Sequence, residues 1–269
     1  MAQRSAPVKP ATPGAVAWRR ATPMAYLRCI RYSDVLVLQG SPVLGALYAL
    51  DGLSLPALPR LAVFVVASCM LVAHIFSLND WAGIAADGND PNKTAGTFLN
   101  RGVSARALLV LSLGLLLGSL VIFAVLDARM ALVALAIAAL SGVYSHPAFD
   151  AKGTPIVSSV PHVLGGVLHF LLGYSLFSPI DTRGALIALY FALTFTAGHL
   201  NQEVRDYEGD RRNGIRTNAV RFGPHRVFIA SFVVFTLAYA HLGVLAATGV
   251  VPASQEVVLL LYPLHAFWS

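Results

Sequence analysis

Glu203, Asp206 and Asp210 stand at i, i+3 and i+7 within the charged run 199–223, so on a helix they share one face about two turns long. Three acids so close repel one another, and beside apolar sequence their charge is costly unless cations occupy the face. Hard carboxylate oxygens suit Mg2+, which is typically held by one or two protein carboxylates together with substrate phosphates. A single acidic helix end of this kind is more often a solvated loop with arginine partners. A second acidic stretch at 79–90 shifts that balance.

In this stretch Asn79 and Asp87 are eight residues apart and Asp80 and Asp87 seven, so a helix continuing through it gathers their oxygens on one side. Asp90 can join from the next turn. Two acidic clusters at the ends of different helices, each followed by basic residues, are what a diphosphate with bridging magnesium ions requires. The metal neutralises phosphate oxygens and helps the diphosphate leave.

The histidines are less specific. His199 lies four residues before Glu203 and seven before Asp206, and shares their face as a metal neighbour or base. His162 and His169, seven apart, suit a cavity wall, and His74 precedes Asn79 by about a turn and a half. For each, a buried hydrogen-bonded histidine is the commoner role. Pro161, Gly165 and Gly166 read as a kink and close helix packing, and Trp81 as an interfacial anchor.

The elements that must position these residues are membrane helices. Of 269 residues 57% are hydrophobic and 12% charged, and the mean hydropathy is +0.68, which places the chain among polytopic membrane proteins. Apolar runs predict eight spans, at 33–50 (bent at Pro42), 60–78, 105–126, 130–144, 155–177, 184–200, 227–248 and 256–268, several near the ~20 residues a bilayer requires. The loops between them leave no room for a soluble domain. Residues 1–22, with Arg4, Lys9, Arg19 and Arg20 among Pro, Ala and Ser, read as a disordered basic tail, and 23–269 as one membrane domain. Cys29 and Cys69 are the only cysteines and read as packing residues.

With a cytoplasmic N-terminus, the eight spans put six Lys and Arg of the N-terminal segment, three near 93–106, Lys152 and six from Arg205 to Arg226 inside, leaving only Arg60, Arg129 and Arg183 outside. That bias fits the positive-inside rule and sets both acidic stretches on the cytoplasmic side. The net charge of +6 therefore reports topology and anionic lipid, with no sign of a nucleic-acid groove.

Taken together, these stretches resemble the UbiA superfamily of intramembrane prenyltransferases. Asn79-Asp80 to Asp87 is similar to the family's NDxxDxxxD motif and Glu203 to Asp210 to its DxxDxxxD motif. The continuation Arg211-Arg212-Asn213-Gly214-Ile215-Arg216-Thr217, ending at Arg221-Phe222-Gly223, resembles the family's DRxxGxxT run, and Tyr144-Ser145-His146-Pro147 with Lys152-Gly153 and Pro155 its loop between the fourth and fifth helices. The resemblance covers roughly 24–250 and implies an all-α bundle, of nine helices in the family, around a central cavity open to the cytoplasm and to lipid. It further implies transfer of an isoprenyl group from an isoprenyl diphosphate to a hydrophobic, commonly aromatic acceptor, in a bacterial inner membrane. Asp80, Asp87, Asp206 and Asp210 would be catalytic. Mg2+ would be held by these four with Asn79, Asp90 and Glu203. Asn79, Lys93, Tyr144, Lys152, Arg205, Arg211 and Arg216 would contact substrate.

The chain departs from the family pattern at three places: Gly83 replaces the middle aspartate of the first motif, Glu203 the first aspartate of the second, and Thr97-Phe98-Leu99 the usual Arg-Pro-Leu. The same ionisation chemistry also suits a terpene cyclase of this superfamily, and the lost aspartate a non-catalytic lipid-binding relative.

Overall fold

The computed structural model of the protein describes residues 22–50, 54–90, 93–146, 148–149 and 151–264, and among these every regular element is helical. The basic tail expected over 1–22 lies outside the described residues except for Thr22, as do Pro147 and the last residues of the eighth expected span. The first expected span, 33–50, is not one helix. It takes in most of one short helix, α2 Tyr32–Val37, and all of another, α3 Gly40–Tyr48, and a third, α1 Pro23–Cys29, precedes it. Thr22 starts α1 by accepting a hydrogen bond from the Ala25 amide at 3.3 Å, a cap that satisfies one orphan donor. Arg31 separates α1 from α2 through a left-handed backbone, φ 54°, which few side chains adopt. Pro42 falls in the first turn of α3, where its missing N–H costs nothing, so the bend lies before it at 38–39.

Among the described residues six helices are long and apolar enough to cross a membrane: α4 Ala57–Asn89, α5 Ala105–Leu126, α6 Ala128–Ser145, α7 Val160–Tyr174 with the 3-10 turn before it, α8 Thr182–Arg212 and α10 Pro224–Ala247. A five-residue helix, α9 Asn218–Phe222, precedes α10, and the last apolar segment, Ala253–Leu264, is shorter than a span. Two of the six exceed any bilayer. At 33 and 31 residues, α4 and α8 run about 50 and 46 Å, against a hydrocarbon core of about 30 Å. Both continue unbroken through the acidic stretches, which therefore ride on helical extensions beyond the apolar zone.

One core joins α4, α5, α6 and α7 through Phe64, Leu71, Phe123, Met130 and Leu172. A second joins α7, α8 and α10 through Phe170, Tyr174, Phe191, Leu242 and Leu245. The outer side of α5 exposes Val110, Leu113, Leu117, Val121 and Val125 at helical spacing, the apolar face that lipid covers. Small residues allow the closest crossings: a Cβ on Gly173 would fall on the Pro42 carbonyl and one on Gly45 on the Phe170 carbonyl, which locks α3 to α7. Gly166 likewise abuts Ala192, whereas Gly165 faces open space. Pro161 lies in the first turn of α7, where it starts the helix and does not kink it.

The two ends of the bundle differ in charge. Arg60 donates to the Leu126 carbonyl at 3.4 Å and Arg183 to the Val250 carbonyl at 3.1 Å, at one end. The extended tips of α4 and α8 meet at the other.

Candidate active site

Three contacts bring the tips of α4 and α8 together. Buried Asp90, just past α4, lies so close to Gly209 of α8 that a Cβ there would stand 2.5 Å from its Oδ2. Asn213 donates its side-chain amide to the Ala86 carbonyl at 3.1 Å and to the Gly209 carbonyl at 3.0 Å. Lys93 places Nζ 2.9 Å from Asp206 Oδ2. Burial lowers the affinity of the Lys93 ammonium for its proton, but the Asp206 hydrogen bond and the charges of Asp206, Asp87 and Asp210 outweigh it and hold the group above the usual lysine range. Both acidic stretches therefore act on one cation.

On α8 the spacing does what periodicity predicts, aligning Glu203, Asp206 and Asp210. Asp210 is buried at 5% exposure, with Lys152 the positive charge that acts on it most strongly. Gly214, at φ 69°, ends the helix with the Ile215 amide bonded back to the Asp210 carbonyl at 2.9 Å. On α4, Asn79 accepts from Ser145 at the end of α6 at 3.4 Å. Asp80 lies 3.7 Å from Arg31, which also pairs with Asp34 at 2.8 Å and stacks 4.6 Å over the Phe76 ring. Arg101 adds a second positive charge near Asp80. Where the first motif lacks its middle acid there is room: a Cβ on Gly83 would meet only Asp87 Oδ2, at 3.6 Å.

Beneath the acids lies an aromatic layer contributed by three helices. His162 of α7 and His199 of α8 stack at 3.7 Å with planes 12° apart, and Tyr144 of α6 meets His162 edge-on at 5.0 Å. The ring nitrogen Nε2 of His199 lies 3.2 Å from Glu203 Oε1, and His162 bonds the Ser158 carbonyl at 3.0 Å. His74 and His169 take purely structural positions, bonded to Ser112 at 2.9 Å and to the Gly165 carbonyl at 2.9 Å. Trp81 packs with Phe98, Val103 and Leu108, pinning the tip of α4 to the loop that follows it.

The basic residues named from sequence divide into two sets. Lys93 pairs with Asp206 and the charge of Lys152 acts on Asp210, while Arg205, Arg211 and Arg216 are exposed, and Arg211 reaches the Tyr207 hydroxyl at 3.4 Å. Periodicity accounts for Arg205, which is two residues from Glu203 and so on the far side of α8. The sequence reading missed Arg31 and Asn218. Arg31 lies just before the first expected span, far from Asp80 in the chain, and counted only among the basic residues of the N-terminal segment; Asn218 lies inside the 199–223 run among residues that stand out by their charge.

The donor set suits Mg2+. It consists of carboxylate and amide oxygens without thiolate, and among the described residues no three acidic, histidine or cysteine side chains converge on one point. Two half-sites with phosphate oxygens between them match the way Mg2+ is commonly bound.

Comparison with known proteins follows the same lines. The chain is similar to a UbiA homologue from Archaeoglobus fulgidus bound to GPP and Mg2+, with a TM-score of 0.76 at 19% identity over 91% of this chain and 85% of that one. The same homologue bound to DMAPP and Mg2+ gives 0.72 at 19% identity, with the same coverage. A structure of digeranylgeranylglyceryl phosphate synthase gives 0.64 at 16% identity over 84% of this chain and 78% of that one. No curated protein sequence matches. The UbiA prenyltransferase family matches residues 40–269, which takes in both acidic stretches and the helices that carry them, and the chain therefore belongs to that family.

Proposed function

We propose that this protein transfers an isoprenyl group from an isoprenyl diphosphate to a hydrophobic, electron-rich acceptor, most simply an aromatic ring, within the membrane. The observation that carries the reading is the meeting of the two acidic stretches at Lys93, which is within 2.9 Å of Asp206 while feeling the charge of Asp87. Asp80, Asp87 and Asn79, with Asp90 beside them, form one half of the head site, and Asp206 and Asp210 the other. Lys93 and Lys152 supply fixed positive charge for diphosphate oxygens. Mg2+ bound between the halves would neutralise the diphosphate and favour its departure. The carbon–oxygen bond to the diphosphate breaks with its electron pair on oxygen, the acceptor carbon bonds to the allylic cation, and the acceptor then loses a proton. Tyr144, His162 and His199 close the space below the acids and keep water from the cation. The likeness to relatives solved with GPP, DMAPP and Mg2+ supports this reading, as does the distribution of Lys and Arg, which under the positive-inside rule turns the acidic end to the cytoplasm.

The test is product analysis in nanodiscs with isoprenyl diphosphates of increasing length, with and without aromatic acceptors. A prenylated acceptor and an equivalent of released diphosphate, both lost on chelation, are expected. A cyclic product formed without acceptor would replace transfer by cyclisation, and binding without turnover would make the protein a lipid carrier.

A further inference from the structure

Glu203 differs from the acids that follow it. Like Asp210 it is 5% exposed, against 28% for the Asp206 side chain, but its bonds go elsewhere. Oε1 accepts from Ser158 at 3.0 Å and from Asn218 at 3.2 Å. Oε2 is buried without a hydrogen-bond partner among the described residues. Asn218, 4% exposed, accepts the Ile156 amide at 2.6 Å and donates to Ser158 at 3.1 Å and Ser159 at 3.2 Å. Ile156 needs such a hold. Its backbone stands at φ 68°, ψ −49°, the centre of a three-residue turn closed by the Val157 amide on the Pro155 carbonyl at 2.8 Å. That hand of turn is strained for any side chain and most of all for a β-branched one. From this turn the Ser158 amide bonds back to Thr154 at 3.0 Å and the Thr154 amide to Ala151 at 3.3 Å, next to Lys152.

We infer that Glu203 and Asn218 are positioning residues, not metal ligands: they clamp the 151–159 loop in its strained turn and so hold Lys152, which that loop carries, at the proposed diphosphate head. The inference rests on the proposed role of Lys152 at that head. It assigns the first acid of the second stretch to holding a loop, and leaves Asp206 and Asp210 to face the ligand.

Glu203→Gln, Asn218→Ala and, as a control, Asp206→Asn would be compared with the wild type in nanodiscs. Hydrogen exchange over 154–159 and Mg2+-dependent binding of inorganic pyrophosphate provide readouts that need no turnover. Glutamine keeps the acceptor at Oε1, so Glu203→Gln is expected to preserve loop protection, pyrophosphate affinity and the half-saturating Mg2+ concentration. Asn218→Ala is expected to expose the Ile156 amide and weaken pyrophosphate binding about tenfold or more, since a displacement near 1 Å can cost that much, without changing the Mg2+ requirement. Asp206→Asn should raise that requirement. A rise in Glu203→Gln equal to that in Asp206→Asn would make Glu203 a ligand and overturn the inference. Unchanged exchange and affinity in Asn218→Ala would overturn it too, as would exposed loop amides with wild-type affinity. If Asp206→Asn bound Mg2+ pyrophosphate like the wild type, the head site itself would fall, and exchange at 154–159 would still decide whether the clamp exists.

Discussion

At the scale of residues, the chemistry depends on charges that are costly alone and useful together. Asp206→Ala and Asp210→Ala are expected to lower turnover by at least about 10²-fold, the loss typical of removing one electrostatic stabiliser, while leaving the protein inserted and folded. Wild-type turnover in both, measured beside a thermal melt in detergent, would reduce the second stretch to a solvated helix end. Gly83 allows the opposite kind of test. A Cβ there meets only Asp87 Oδ2, at ordinary contact distance, so the protein itself leaves room for the missing acid. Gly83→Asp is therefore expected to lower the half-saturating Mg2+ concentration several-fold in a titration of activity. Loss of activity without a change in metal dependence would show that the space belongs to substrate. These acids were legible in the sequence because i, i+3, i+7 spacing fixes a shared face wherever the helix goes. Arg31 and Asn218 were not, because the left-handed backbone at Arg31 that brings it to Asp80 and the packing that brings Asn218 to Ile156 are set by tertiary path, which periodicity does not carry.

At the scale of elements, two helices longer than the bilayer do the positioning, and a glycine crossing fixes the bundle around them. The sequence reading located the spans of α5, α6 and α10 within a few residues, since each is a continuous apolar run. It ended α4 and α8 early because apolarity stops where the acids begin, although helical hydrogen bonding does not. It joined α2 and α3 into one span for the converse reason: apolarity persists across the backbone break at 38–39. The α3–α7 crossing yields a sharp contrast. In Gly173→Ala the new methyl meets the Pro42 backbone, which cannot turn aside, and a loss of about 1–3 kcal/mol is expected from overpacking. Gly165→Ala, in open space on the same helix, is expected to be neutral or to stabilise by up to about 1 kcal/mol. Reversible unfolding in mild denaturant checks both; equal effects would contradict the crossing.

At the scale of the molecule, the fold sorts charge between two ends and gathers all the proposed chemistry at one. If that end faces the cytoplasm, cysteines at exposed Gly88 and Arg212, in a background with Cys29 and Cys69 replaced, should react with an impermeant maleimide only in inverted vesicles, and a cysteine at Arg129 only in right-side-out ones. The reverse pattern would invert the topology without disturbing the site. The central claim is narrower: the stretches on α4 and α8 make a single diphosphate site. Calorimetric binding of pyrophosphate with Mg2+ to the wild type, Asp87→Asn, Asp206→Asn and the double variant tests it most directly. Each single change is expected to weaken binding about tenfold or more, and the double change to depart from the sum of the two, because groups that share one ligand are coupled by about 0.5–3 kcal/mol. Strictly additive losses, or a single variant that binds as well as the wild type, would mean that the two stretches do not hold the same diphosphate.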